Sequence, residues 1–178
     1  HSSPQYNLEN EKLRTYFMHT LPSLIGEMLL VAENSLKPSR ISHATARITG
    51  VGAHRHNGCD SLSLMDLLVF HDIDSQENEP FLIVAGYACH PTILDASNLL
   101  YSPDFVGFFR EELASAISVP TVVFMNGAAG DISTRFTRRE QSELECRRFG
   151  SILADQAKKA LEMTDEIGTS PIVFRTAE

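Results

Sequence analysis

Two apolar segments of this chain run directly into residues that can do chemistry. FLIVAGYAC leads into His90-Pro91-Thr92, and TVVFM leads into the loop Asn126-Gly127-Ala128-Ala129-Gly130-Asp131-Ile132-Ser133. A neutral imidazole held on a rigid strand end is a good zinc ligand, and Pro91 stops the strand ladder by removing a backbone donor. The same histidine could simply hydrogen-bond at the end of a core strand, and the tetrapeptide does not separate the two. In the second loop, small residues let the backbone turn sharply and approach a ligand closely, while Asp131 and Ser133 present oxygen atoms. A tight strand-to-helix connection, with Asp131 or Ser133 as a helix cap, fits the loop equally well. There is no P-loop lysine and no G-x-G-x-x-G spacing, which weighs against phosphate binding. Ser133 does not stand in the G-x-S-x-G elbow of an ordinary serine hydrolase. His54-Arg55-His56 is a third place: an arginine flanked by imidazoles can orient a carboxylate or carbonyl oxygen, although such clusters are commonly just polar loops.

The elements that must position these residues alternate between strand and helix. Apolar residues at helical spacing from Thr15 to about Ser35 predict an amphipathic helix ended by Pro38, with Pro22 either in its first turn or splitting off a short leading turn. Ile41–Val51 reads as a strand and AHRHNGCDS as a polar loop. Leu64–Ile73 and Phe81–Cys89 read as strands, and the short acidic connection between them favours an antiparallel hairpin. A helix is predicted from Pro103 to about Ile117, capped by Ser102, with Phe105, Phe108, Phe109 and Leu113 as its apolar stripe. Thr121–Met125 is a short buried strand, about Arg139 to Met163 a long helix, and Pro171–Arg175 a last strand. Together these predict a single α/β domain over residues 1–178: a mixed β-sheet flanked by helices on both faces, in three layers. Ligands of such sheets gather outside the carboxyl ends of strands, where His90 and the Asn126–Ser133 loop fall.

Composition narrows the partners. The chain has 178 residues and a formal charge of -8, with 15 Lys and Arg against 23 Asp and Glu, which argues against a nucleic-acid backbone as partner. The basic run Arg135, Arg138, Arg139, Arg147 and Arg148 is interleaved with Glu140, Glu143 and Glu145 and reads as a solvated helix face. No apolar run is long enough to span a bilayer. Three cysteines, Cys59, Cys89 and Cys146, lack metal-ligand spacing, and Cys89 reads as a small buried residue, so a reducing, cytoplasmic compartment is favoured over a disulfide framework. Secretion would need an export signal upstream. The chain starts at His1 without an initiator Met and stops just after PIVFR, which suggests a piece of a larger protein.

ACHPTIL, NLLYSPDFVGFFREEL and VVFMNGAAGDISTR, in that order and spacing, resemble the catalytic domain of the neutral (non-lysosomal) ceramidase family and its bacterial relatives. That family carries a strand ending in a zinc-ligating His, an S-x-D-x-x-G-Y helix start, and a strand leading into G-x-x-G-[DN]-x-S. The likeness covers roughly residues 81–135, with GVGAHRH, LKPS and the opening HSSP as weaker matches. It implies that His90 is a zinc ligand, Ser133 the active-site serine, Arg55 an orienting arginine, and His1 the second His of a T-H-T-H-S-G-P motif. It also implies that the first His of that motif, and a Glu and a Tyr ligand, lie outside these residues. Three positions depart from the pattern: His54 replaces Asn, Thr134 replaces Pro, and Tyr101-Ser102-Pro103-Asp104 replaces I-S-[AG]-D.

The function this implies is zinc-dependent hydrolysis of an N-acyl amide, in a ceramide-like lipid or another acylated small molecule. Asn126, Gly127, Gly130 and Asp131 would face the substrate. The alternative is a non-catalytic relative that keeps the fold as a binding or accessory domain.

Overall fold

The computed structural model describes residues 11–59, 63–74 and 79–167, divided into two units, His1–Pro38 and Ser39–Glu178. In the first, helix α1 (Glu11–Thr15) passes through a π-helical turn (Tyr16–Thr20) into α2 (Leu21–Asn34). Pro22 lies in the first turn of α2, the first of the two alternatives, and no leading turn is split off: the wide turn before it, closed by the Leu21 N–H on the Tyr16 carbonyl, continues α1 into α2. A wider turn relieves the clash of a proline ring with the carbonyl four residues back. The Ser35 hydroxyl donates to the Ala32 carbonyl at 2.9 Å where the helix stops.

The second unit holds β1 (Ser39–Ile48), β2 (Ala53–His54), β3 (Ser63–Asp72), β4 (Pro80–Tyr87), α3 (Phe105–Ala116), β5 (Thr121–Asn126), β6 (Ile132–Ser133), α4 (Glu143–Leu161) and β7 (Asp165–Glu166). Five strands form one sheet in the order β5-β4-β3-β1-β7. The predicted β3–β4 hairpin is antiparallel, whereas β5 lies parallel to β4 after the α3 crossover. The α/β class with a mixed sheet is therefore as the sequence predicts. Of the remaining expectations, the strand Pro171–Arg175 and the residue His1 lie outside the described residues.

Register explains why this sheet has an inside. Ser42, Val69, Ile83 and Val122 stand in one row across four strands, and Ala44, Leu67, Ala85 and Phe124 in the next. The two-residue period of a strand sends all of them to one face, and α3 and α4 both cover that face within this unit, sharing its core. Phe124 lies edge-on to Phe105 at 6.3 Å and to Phe109 at 5.8 Å. Full burial of each such ring is worth about 1.5–3 kcal/mol. The helices cross closely because Gly150 has no side chain: a Cβ there would lie 2.5 Å from the Phe108 Cβ and 2.7 Å from the Phe109 backbone nitrogen.

Both helix starts correct the sequence expectation. α3 is capped by Asp104, not Ser102, and begins two residues later than Pro103. α4 begins at Glu143, where the Ser142 hydroxyl accepts from the Glu145 N–H at 3.1 Å. Nor is the charged run simply a solvated helix face. Glu145 is buried and accepts from the Arg148 Nε at 2.8 Å and the Arg139 N–H at 2.7 Å, which pins the segment leading into α4.

Candidate functional site

The predicted polar loop after β1 and the glycine-rich loop after β5 are zipped together. β2 pairs with β6 antiparallel, setting Ala53 opposite Ser133 and His54 opposite Ile132. On its other flank Ser133 forms a parallel bridge with His90, where the His90 N–H donates to the Ile132 carbonyl at 3.4 Å. Three chain segments, 53–55, 90 and 131–133, thus lie side by side at the ends of β4 and β5. Neither two-residue strand is visible as a periodic pattern, because two residues carry no period.

His90 is half-buried at the end of its segment. The turn after it is tightly tied: Thr92 N–H donates to the His90 carbonyl at 2.9 Å, and the Arg138 guanidinium donates to the Thr92 carbonyl. Arg138, read from the sequence only as part of a charged run, therefore links the Ser133 segment to the His90 turn. Ser133 is buried, and its Oγ accepts from the Arg135 N–H at 3.3 Å, capping the 3₁₀ turn Thr134–Phe136. The capping alternative for this loop is realised at Ser133.

Arg55 is exposed and held by its own backbone and side chain. Its N–H donates to the Asp131 carbonyl at 2.8 Å, and its Nη1 donates to the Gly130 carbonyl at 3.3 Å. Asp131 caps no helix; its Oδ2 lies 3.5 Å from Nδ1 of His54. Asn126 and Gly127 are joined to β4. Gly127 N–H donates to the Tyr87 carbonyl at 3.0 Å, and the Asn126 amide is satisfied when its Nδ2 donates to the carbonyls of Tyr87 (3.2 Å) and Cys89 (3.1 Å). Both residues fasten the parallel strand ends just before His90. Around Gly130, by contrast, a Cβ would meet nothing within 4 Å, whereas at Gly127 it would lie 3.1 Å from the Ala88 Cβ.

Burial pushes the Cys89 thiol up to about 12, with the charge of Asp104 adding to it, so the residue before His90 stays a neutral thiol near pH 7. Among the described residues no group of three His, Cys, Asp or Glu side chains is arranged to hold a metal ion. A catalytic zinc site takes three protein ligands, so the described residues do not by themselves fit one; His90 is the imidazole the site offers. No helix among them is long and apolar enough to cross a membrane.

The class these features define is a mixed α/β domain with its candidate residues gathered at strand ends. Among solved structures it is similar to two ceramidases. A ceramidase complexed with C2 matches at a TM-score of 0.61 and 18% identity, over 74% of this chain and 23% of that one. The neutral ceramidase from Pseudomonas aeruginosa matches at 0.61 and 17%, over 74% of this chain and 24% of that one. This chain thus spans about a quarter of the length of these ceramidases. No family model matches the chain, and no curated protein does.

Proposed function

We propose that this chain forms part of the site of a zinc-dependent hydrolase of the neutral-ceramidase type, acting on the N-acyl amide of a ceramide-like lipid or another acylated small molecule. The observation that carries the proposal is the bridge between His90 and Ser133, with Arg55 tethered to the same strand, in a fold shared with ceramidase structures. His90 is the metal ligand this chain contributes, the remaining donors coming from beyond the described residues, and His1 takes a catalytic role as the second His of its motif. Bound zinc would supply Lewis-acid polarisation and an activated water.

The chain's own residues have separate tasks. Arg55 directs its guanidinium at the carbonyl oxygen on which charge develops. The open surface beside Gly130 lets the substrate approach the backbone closely, and Asp131 sets the edge of that surface. Ser133 orients the amide or a substrate hydroxyl through its O–H, while one of its two lone pairs caps the following turn. Asn126 and Gly127 hold the strand ends on which the site rests. Replacement of His90 by Ala should abolish N-acyl hydrolysis and lower the zinc content of the purified protein; unchanged values of both would refute the assignment.

A second reading, a non-catalytic relative serving as a binding or accessory domain, is favoured by the incomplete donor set among the described residues and by the capping use of Ser133. It predicts a protein that purifies without zinc and releases no fatty acid from a fluorescent N-acyl-sphingosine or from short-chain N-acyl amino acids.

A further inference from the structure

Asp104 is the one buried carboxyl of the second unit, besides Glu145, among the described residues, and it lies outside the proposed site. Its backbone is at φ 53° and ψ -143°, a region L-residues rarely enter and that persists only where surrounding structure over-determines it. What holds it there is a set of hydrogen bonds. Oδ2 accepts from the N–H groups of Ile93 at 2.9 Å and Leu94 at 3.0 Å. Oδ1 accepts from the N–H of Phe105 at 2.9 Å, and the Asp104 N–H donates to the Ser102 hydroxyl at 3.1 Å. One carboxyl group therefore joins the start of α3 to the turn that begins at His90, adding a polar tie to the core that Ile93 and Phe105 share.

That turn is fixed from both sides. Arg138 holds the Thr92 carbonyl, and Asp104 holds the next two N–H groups. We infer that Asp104 is a positioning residue for His90, its strained backbone being the condition for placing one carboxyl across both elements. The inference rests on the hydrolase reading only for the use to which His90 is put. It does not depend on it for the mechanical coupling.

Two replacements separate the carboxyl from the strain. Asp104→Asn keeps the shape and tolerates positive φ but offers a single acceptor oxygen, while Asp104→Gly removes the strain together with the acceptors. The experiment follows the imidazole resonances of His90 by NMR in both variants, with Arg40→Ala, which removes the exposed Arg40–Glu166 ion pair on the β1–β7 side of the sheet, as a control. Both Asp104 variants should shift or broaden the His90 signals, the control should not, and kcat for N-acyl hydrolysis should fall about tenfold or more with little change in KM, as for groups that orient a metal ligand. His90 signals unchanged in both Asp104 variants would overturn the inference whatever the activity. Should neither variant fold, amide exchange in the unaltered protein decides. Ile93, Leu94 and Phe105 must then open together, and independent fast exchange of Ile93 and Leu94 would overturn the coupling. Wild-type hydrolysis by a His90→Ala variant would instead remove the hydrolase reading and leave the NMR result standing.

Discussion

Ser133 is bridged to His90 on one flank and stands opposite Ala53 on the other, and its hydroxyl oxygen is already engaged by the Arg135 N–H. Replacement by Ala removes that cap and should cost about 1 kcal/mol of stability, read from the urea midpoint. On the hydrolase reading the same variant also loses turnover by more than that stability loss explains. A variant with the stability cost but full turnover would leave Ser133 as a cap alone.

Gly130 gives the complementary experiment. Its missing Cβ would meet nothing within 4 Å, so Gly130→Ala should leave stability unchanged or raise it by up to about 1 kcal/mol through the unfolded state. Turnover should nevertheless fall if a ligand uses the open space. Thermal melting and hydrolysis assayed on one preparation separate the two effects.

The opposite holds for Gly150, where an added Cβ would sit 2.5 Å from the Phe108 Cβ and 2.7 Å from backbone. Gly150→Ala should force the two helices apart at a cost of about 1–3 kcal/mol, visible as a lower melting temperature.

Much of this architecture was legible because it rests on long periodic segments. The β3–β4 hairpin, the apolar stripe of α3 and the long helix α4 announce themselves by spacing; the strand before the glycine-rich loop, expected to be buried, lies at the edge of the sheet with Val122 buried but Val123 and Met125 exposed. What escaped is local and polar. Ser102 looks like a helix cap, yet Asp104 takes the position because its carboxyl also reaches Ile93 and Leu94, partners eleven and ten residues away that no local pattern displays. The pairing of β2 with β6 escaped for a similar reason, since strands of two residues are defined by their neighbour. Asn126 and Gly127, expected to face the substrate, also fasten the strand ends through amides on the β4 backbone, a role that their local sequence does not display.

Acid should weaken the fold through Glu145. The Arg148 hydrogen bond, followed by that from the Arg139 N–H, holds its carboxyl below the ordinary 4.5 against the opposing effect of burial. The unfolded chain binds the proton more readily, so this contribution is complete above 4.5 and is lost as pH falls below it, through the lower native value. Glu145→Gln should cost about 1.5–3 kcal/mol near neutral pH, because the half-buried Arg148 loses its charged partner and one acceptor oxygen, and should flatten the acid limb of the stability profile. Urea titrations on either side of 4.5 test both parts.

Thr134 is fully buried, and its hydroxyl finds no hydrogen-bond partner among the described residues. A hydroxyl in that position is a penalty that an isosteric methyl removes. Thr134→Val should therefore be neutral or stabilising by about 1 kcal/mol, and a loss of more than that in the urea midpoint would mean the hydroxyl has a partner after all.

The three segments that meet at Ser133 come from residues 53, 90 and 133, so no stretch of chain can build the site locally. Each junction closes a loop of some forty residues or more, and such long-range pairing forms late in folding because its entropy must be lost before its contacts are made. The bridge between His90 and Ser133 should accordingly be among the last features to appear when the protein refolds. A nascent or partly unfolded chain would hold the imidazole and the hydroxyl apart, and so keep whatever chemistry they perform silent until the sheet is closed.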